Sequence, residues 1–275
     1  MNNYRILVLF DASMCAPMTD PETKMPRTRW DDGRGFITEQ AIKFRIKKYL
    51  KESGEKILHY EDREDYTVFK ELNAYKLTEE EAKEKACQYL DVRLFGAMDL
   101  ATDKSKGSEG KKGRVLIEGP VSVGYSLTED PITLHDVATN RQYKVDINED
   151  GSNQGSSYGN VSTILEYGLY SCFIGVNNIK SKVTGLTDSD VELLIDAIVH
   201  MFDNDYSCMR PLGSMNVRHV FVWKWGEKET GCADWKLIDS VKIEHKEGIL
   251  KPSRYADYII SVDEVRIPVK DYIAY

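Results

Sequence analysis

The chain has few cysteines, and the five that it contains are scattered. Their number is odd and no two form a CxxC pair, so a disulfide framework is not expected. This usage predicts a protein of the cytoplasm, where thiols stay reduced. The cysteines are Cys15, Cys87, Cys172, Cys208 and Cys232.

Long apolar runs and cofactor motifs are also missing. The apolar run at residues 6–10 is far shorter than the roughly 18 residues of a membrane span, and it predicts a buried strand rather than a signal peptide. The five histidines lack the spacing of a zinc site, and the GxxxxGK[ST] phosphate loop is absent. Neither a metal ion nor another cofactor is therefore predicted.

Positive charge is scarce overall but concentrated in one stretch. The net charge is −8, yet residues 24–51 hold nine basic and three acidic residues, which gives this segment a formal charge of +6. The remaining residues must then carry −14. A cationic segment in an acidic protein favours a polyanionic partner at one groove rather than over the whole surface.

Periodicity and capping signals divide the chain into strands, helices and long connections. We predict helices over residues 38–52, 78–90 and 187–202, capped by Thr38, by a Thr78–Glu81 capping box and by Thr187. A long connection at 11–37, a flexible loop at 101–113 and a protruding arm at 126–166 separate the elements. The predicted strands are residues 4–10, 115–125, 167–176, 217–225, 236–243 and 258–267.

This order predicts an α+β fold with an antiparallel sheet. Two helices separated by antiparallel-type strands are typical of the split βαβ, ferredoxin-like or RNA-recognition arrangement. One face of the sheet is expected to be exposed, as on many single-stranded RNA platforms.

Six segments together resemble one family. In this order and spacing they look like the RAMP-superfamily backbone subunit of type I CRISPR interference complexes (Cascade), the seventh Cas family. Residues 203–210 make the type I-C branch the nearest match and type I-B the next. The first loop departs from the family pattern, because CAPMTDP stands where NPNGDP is frequent. The segments are FDASMCAPMTDPE, PRTRWDDGRGFIT, DVRLFGAM, IEGPVSVGYSLTEDPI, YGLYSCFIG and MFDNDYSCMR.

The resemblance implies a single RAMP-type domain over residues 1–275, with a ferredoxin-like palm, a thumb-like β-hairpin arm at 126–166 and a finger-like insertion at 55–113. It implies that several copies polymerise along one CRISPR RNA and support recognition of target DNA through guide pairing. The other implied partners are a small capping RAMP subunit and a large subunit, with no membrane. The arm would flip a base out at regular intervals, and Thr133, His135, Arg141 and Tyr143 are its candidate contacts.

Candidate RNA contacts follow from charge and from the resemblance. On the predicted basic helix, the alternative for the cations is a solvated face. On the long connection, basic residues around Trp30 suit single-stranded nucleic acid, although an ordinary surface loop is the alternative. For Arg93 and Phe95 the alternative is a structural ion pair and core packing. The candidates are Lys24, Arg27, Arg29, Lys43, Arg45, Lys47, Arg93, Phe95, Ser126, Met209 and Arg210, with Met215 nearby.

Catalysis is the second function class to consider. Asp11, Asp20, Asp31 and Asp32 are close in sequence, and paired aspartates can bind Mg²⁺. Related type III backbone subunits cleave target RNA with an acidic loop residue, whereas loop acids are more often turn formers. The type I resemblance implies a protein that is not an enzyme. An unrelated ferredoxin-like interaction domain is the third possibility.

Overall fold

The computed structural model describes residues 1–58, 77–102, 113–141, 146–147, 153–154 and 158–272. Within these residues, none of the helices combines the length and the apolar character needed to span a bilayer. The helices are α1 (Glu39–Glu52), α2 (Glu79–Ala86), α3 (Leu90–Phe95), α4 (Asn178–Thr184), α5 (Asp188–Val199) and α6 (Asp234–Ser240). The strands are β1 (Asn3–Cys15), β2 (Arg34–Ile37), β3 (Gly96–Thr102), β4 (Gly113–Glu118), β5 (Val121–Val123), β6 (Ser126–Pro131), β7 (Leu134–Arg141), β8 (Asp146–Ile147), β9 (Asn153–Gln154), β10 (Tyr158–Val176), β11 (Met215–Trp225), β12 (Val241–His245), β13 (Tyr258–Val262) and β14 (Val269–Asp271).

A ferredoxin-like unit forms the centre of the fold. In chain order it comprises β1, α1, β5, β10, α5 and β11. β1 lies between β10 and β11 and pairs antiparallel with both, while β5 pairs antiparallel with β10. The strand order is therefore β11-β1-β10-β5, the split βαβ arrangement. The α+β, ferredoxin-like prediction is confirmed.

The helical side of the sheet holds the largest core. Alternate residues of β1 (Tyr4, Ile6, Val8 and Phe10) point towards α1 and α5. Phe10 stacks on Tyr170 of β10, with ring centroids 5.2 Å apart. Burying each such side chain stabilises the fold by roughly 1.5–3 kcal/mol relative to leaving it exposed. The predicted stripes supply the opposite wall: Ile42, Ile46 and Leu50 on α1, and Val191, Leu194, Ile195 and Ile198 on α5.

The other face of the sheet is not free, so the prediction of an exposed face is wrong. Leu7 and Leu9 of β1 and Trp223 of β11 are buried there. They pack against α6, β12 and β13, which we call the C-terminal layer. Three apolar strands side by side present too much apolar surface to leave in water, and this layer covers most of it.

Two strand predictions near the C-terminus need correction. Residues 236–240 belong to α6, and only Val241 onward is a strand. Leu237, Ser240 and Val241 are buried, which is i, i+3, i+4 helical spacing. The second strand ends at Val262 rather than at residue 267.

The connection at 11–37 is ordered rather than a long loop. β1 continues to Cys15, and two successive turns lead to β2. In the first turn Asp20 donates its N–H to the Met25 carbonyl, with an N···O distance of 2.8 Å. In the second, Arg29 donates its N–H to the Arg34 carbonyl, also at 2.8 Å. We call residues 29–34 the tip turn; Gly33 supplies the positive φ of 71° that this turn requires.

The DVRLFG and IEGPV segments meet at a close backbone contact. A Cβ atom on Gly96 would lie 2.1 Å from the Ile117 carbonyl oxygen, and one on Gly119 would lie 2.1 Å from the Phe95 carbonyl carbon. Only glycine fits at either place, which explains these two motifs physically. The preceding helix prediction is confirmed at its Thr78–Glu81 capping box. It is wrong at its end, because the helix stops at Ala86 and a second one begins at Leu90.

The base of the predicted arm is a β-hairpin. β7 pairs antiparallel with the first part of β10, from Leu134–Leu165 to Arg141–Tyr158. Most of residues 142–157 lies outside the described residues, as do 59–76 and 103–112. The boundaries of the arm and of the finger-like insertion, and the loop at 101–113, therefore stay predictions.

Candidate nucleic-acid interface

One carboxylate, that of Asp205, gathers three cationic side chains. Its oxygens lie 2.6 Å from Arg45 Nε, 3.3 Å from Arg210 Nε and 3.8 Å from Lys48 Nζ. We call these four residues the Asp205 cluster. Because one negative charge meets three positive ones, the cluster retains a surplus of positive charge. Glu52, at 4.0 Å from Lys48 Nζ, compensates it only in part.

Arg45 is the buried anchor of this cluster. Its side chain is 5% exposed and also donates to the Pro17 and Ala41 carbonyl oxygens. Burial lowers the pKa of the guanidinium, and the Asp205 carboxylate opposes this shift. The RNA phosphate contact predicted for Arg45 therefore lacks an exposed guanidinium. The signal was present in the sequence, because Arg45 follows Ile42 by three residues and so shares the buried stripe of α1.

Lys48 and Arg210 are the members of the Asp205 cluster that reach the surface. Their side chains are 21% and 27% exposed, respectively. The segment that holds Arg210 is fixed against the end of β1, since Ala16 donates its N–H to the Met209 carbonyl at 2.8 Å. The structure thus brings predicted Arg210 and Met209 beside α1. Sequence reasoning missed Lys48 as a candidate, although it lies three residues after Arg45 on the same side of the helix.

Lys43 and Lys47 lie on the opposite side of α1. Lys43 Nζ is 5.8 Å from the centre of the Phe95 ring, a cation–π distance. Burial lowers the pKa of Lys47, while the charge of Asp91 opposes this shift. The three cations predicted to form one phosphate track therefore face two different neighbours.

The cations of the long connection are mostly paired within it. Arg27 Nε lies 3.3 Å from Asp20, and Arg29 contacts Asp31 at 2.5 Å and Asp32 at 3.5 Å. Lys24 is exposed and has a positive φ of 61°. This pairing reduces the positive charge that these residues present, although they remain on the surface.

Arg93 forms the structural ion pair that was its alternative role. Its guanidinium makes two hydrogen bonds to the Asp190 carboxylate, at 2.8 and 3.2 Å, and so ties α3 to α5. Burial alone would raise the pKa of Asp190, but hydrogen bonds from Arg93 and from the Thr187 N–H outweigh it and lower the pKa. Phe95 is partly buried against the main core.

Ser126 and the arm residues have separate environments. Ser126 is fully buried in β6, so its predicted position at an RNA-facing surface is wrong. Thr133 is half-buried, and His135 Nε2 lies 3.6 Å from Glu166. Arg141 pairs with Tyr158 at the last described position of the hairpin, and Tyr143 lies outside the described residues.

The four aspartates considered for catalysis all have structural partners. Asp11 is buried and accepts a hydrogen bond from Arg218 at 2.8 Å. Asp20 accepts from the Glu22 and Thr23 N–H groups, as in a side-chain-stabilised turn. Asp31 binds Arg29, and Asp32 accepts from the Arg34 N–H at 3.0 Å.

The fold defines the class of protein: a ferredoxin-like domain with inserted hairpins and a C-terminal layer. The model of the family described as CRISPR-associated protein Cas7 matches residues 2–263. The chain therefore belongs to the Cas7 family, in agreement with the resemblance stated from its motifs. No curated protein matches the chain.

Solved structures show distant similarity. A chain of a "CRISPR RNA-guided surveillance complex, pre-nicking" is 14% identical, with a TM-score of 0.49, covering 86% of this chain and 84% of that one. A chain of a "CRISPR RNA-guided surveillance complex" is 12% identical, with a TM-score of 0.43 and coverages of 83% and 72%. A chain of "Type III-B Cmr-beta bound to cognate target RNA" is 11% identical, with a TM-score of 0.40 and coverages of 80% and 61%.

Proposed function

We propose that this chain is a CRISPR RNA-binding backbone subunit of a type I surveillance complex, nearest the type I-C branch. The observation that carries the proposal is the surplus of positive charge around Asp205 at the surface of α1. RNA phosphates would balance this surplus and release counterions on binding. The acidic remainder of the chain would keep RNA from binding elsewhere.

The assembly follows from the same proposal. Several copies bind one guide RNA in the cytoplasm, and target DNA is recognised by pairing with that guide. A small capping RAMP subunit and a large subunit complete the complex. Membership of the Cas7 family and the motif resemblance support these partners.

The double variant Lys48→Ala/Arg210→Ala tests the cluster. We expect weaker RNA binding and a shallower dependence of log K on log salt, by about 0.7 for each lost phosphate contact on single-stranded RNA. Lys182→Ala is the matched control, because Lys182 is an exposed helical lysine already paired with Glu227 at 2.6 Å. An unchanged salt slope in the double variant would contradict the proposal.

We also propose that the chain is not a nuclease, since each candidate aspartate is engaged by a cation or by backbone N–H groups. The test is to incubate the purified complex with matched single-stranded RNA and Mg²⁺. Intact RNA is expected. Cleavage at regular intervals that is lost in Asp32→Ala or Asp11→Ala would instead support a type III-like ribonuclease.

A further inference from the structure

The arm leaves the central sheet through two strands. β10 pairs with β1 from Val176 to Leu165 and with β7 from Leu165 to Tyr158, so Leu165 is where the sheet ends and the arm begins. The other strand enters the arm between the end of β6 at Pro131 and the start of β7 at Leu134. We call these two places the crossing points. The direction of the arm depends on what holds them.

Each crossing point has a carboxylate beside it. Asp130 lies on β6 immediately before Pro131, and Glu166 lies on β10 immediately after Leu165. The Glu166 N–H donates to the Thr133 carbonyl at 2.9 Å and so joins the two crossing points. A structure that binds both carboxylates would therefore hold both strands of the arm.

The C-terminal layer reaches both carboxylates from a single hairpin. His245 ends β12 and Tyr258 begins β13, and the two residues pair directly across these strands. His245 Nε2 lies 3.0 Å from one Asp130 oxygen, and the Tyr258 hydroxyl donates to the other at 2.7 Å. In the connection between β12 and β13, Lys251 Nζ lies 2.8 Å from a Glu166 oxygen. We call His245, Lys251 and Tyr258 the clasp.

The protonation states at the clasp favour these contacts. The hydrogen bond from Lys251 and its positive charge lower the pKa of Glu166, so this carboxylate stays charged. Burial raises the pKa of Tyr258, and so does the hydrogen bond to Asp130, so the hydroxyl keeps the proton that it donates. His135 also lies 3.6 Å from Glu166, but it belongs to β7 and moves with the arm. Of these two partners of Glu166, Lys251 is the one that joins it to the C-terminal layer.

The connection that carries Lys251 is itself fixed to the C-terminal layer. The Lys246 N–H donates to the Asp257 carbonyl at 2.8 Å, and the Ser253 N–H donates to the Asp257 carboxylate, also at 2.8 Å. Tyr258 is buried, 6% exposed. The clasp residues are therefore held on their own side before they contact the arm.

A cavity separates this connection from the crossing points. Its volume is about 290 Å³, and residues 250–252 line it on one side and residues 131–133 on the other. Because this space keeps the two backbones apart, the side chains of the clasp bridge it. Polar contacts of this kind can be released by single substitutions without removing core packing.

We propose that the clasp positions the arm, by holding both crossing points against the C-terminal layer and so fixing the direction in which the arm leaves the sheet. Exposed ion pairs add little to global stability, so the clasp acts on the direction of the arm rather than on whether the chain folds. The inference concerns the protein without RNA. Its failure is therefore distinguishable from failure of the proposed function.

The distance between two spin labels tests the clasp in the RNA-free protein. Val161→Cys places one label on the arm and Ile179→Cys places the other on α4, at side chains that are 64% and 70% exposed. Double electron–electron resonance should then give one narrow distance distribution for the intact clasp. The native cysteines that are not buried are first changed to serine: Cys87, Cys208 and Cys232.

Two variants release the arm to different extents. Lys251→Met removes the contact with Glu166, and the triple variant His245→Leu/Lys251→Met/Tyr258→Phe removes the contacts with Asp130 as well. We expect the distance distribution to broaden in Lys251→Met and to broaden further in the triple variant, because a second crossing point is then freed.

Two further variants are controls. Lys251→Arg retains the positive charge beside Glu166 and should keep the narrow distribution. Lys83→Met removes a comparable exposed lysine, paired with Glu79 at 3.1 Å within α2, and should also leave the distribution unchanged.

An unchanged distribution in Lys251→Met and in the triple variant would overturn the inference. Broadening in the triple variant alone would also overturn it, because the clasp would then hold one crossing point and not two. Broadening in Lys251→Arg or Lys83→Met equal to that in Lys251→Met would show that the lost contact is not the cause, and the inference would again be wrong. If the triple variant does not fold, Lys251→Met decides alone, since its side chain is 59% exposed.

Discussion

The connection that ends in the tip turn and the helix α1 that follows it are both rich in cations, yet they use them differently. In the connection, Arg27 and Arg29 each have carboxylates from the same short segment. On α1, Arg45 and Lys48 share with Arg210 the single carboxylate of Asp205. The first arrangement neutralises its charge locally, and the second leaves a surplus.

This difference shows that the formal charge of a segment is not the charge that it presents. Residues 24–51 sum to +6, but pairing removes much of this at one end and burial removes Arg45 at the other. Exposed pairs contribute little to stability, whereas a buried pair becomes costly once one partner is lost. The two halves of the segment should therefore respond differently to the same kind of substitution.

The largest expected effect is on stability, in Arg45→Ala. Its loss leaves Asp205 without its shortest ion pair and the Pro17 carbonyl without its hydrogen-bond donor. We expect the free energy of unfolding to fall by about 3–5 kcal/mol, measured by denaturant titration. Lys43→Ala is the control on the same helix. If Arg45→Ala loses RNA affinity but no stability, the phosphate contact predicted for Arg45 from the sequence is right.

The Arg45–Asp205 pair also marks the limit of what the sequence could predict. The strand and helix order followed from local signals: apolar runs, apolar stripes, the Thr78–Glu81 capping box and the Thr187 cap, the last two of which the structure contains. Asp205 lies 160 residues from Arg45, so no local pattern joins them. The covered sheet face was missed for a related reason, because Leu237 and Tyr258 reach the sheet only through tertiary packing.

Acid stability separates a partly buried pair from an exposed one. Arg93 helps to lower the pKa of Asp190, against the opposing effect of burial, and Arg29 lowers that of Asp31. A carboxyl whose folded-state pKa is depressed stabilises above its unfolded pKa, near 3.8, and loses this contribution as pH falls below it. Asp190→Asn should therefore reduce the free energy of unfolding at neutral pH by about 1–3 kcal/mol. The variant should then lose less stability than the wild type as the pH falls below 4.

Asp31→Asn is the counterpart of this experiment. The pair of Asp31 with Arg29 is solvent-exposed, so the free energy of unfolding should fall at acid pH as it does in the wild type. Both variants are compared by urea unfolding between pH 2 and 6. If both variants lose equally less stability at acid pH than the wild type, burial does not distinguish the two pairs.

A smaller effect is expected for single lysines in RNA binding. Among the described residues, no carboxylate lies within 4.0 Å of Lys43, so Lys43→Ala should lower the salt slope by about 0.7 if this lysine meets a phosphate. Lys24→Ala, in the turn beside Asp20, should change the slope less. The measurement is RNA affinity over a series of salt concentrations. A larger change in Lys24→Ala would show that the connection, rather than α1, presents the surplus positive charge to RNA.

The smallest effect on RNA binding is expected for Arg29→Ala. The guanidinium is already matched by Asp31 and Asp32, so removing it deletes no surplus charge and the salt slope should stay unchanged. The backbone bond from the Arg29 N–H to the Arg34 carbonyl keeps the tip turn closed in this variant. The measurement is RNA affinity over a series of salt concentrations. A fall in RNA affinity equal to that of Lys43→Ala would show that the two segments present their charge alike.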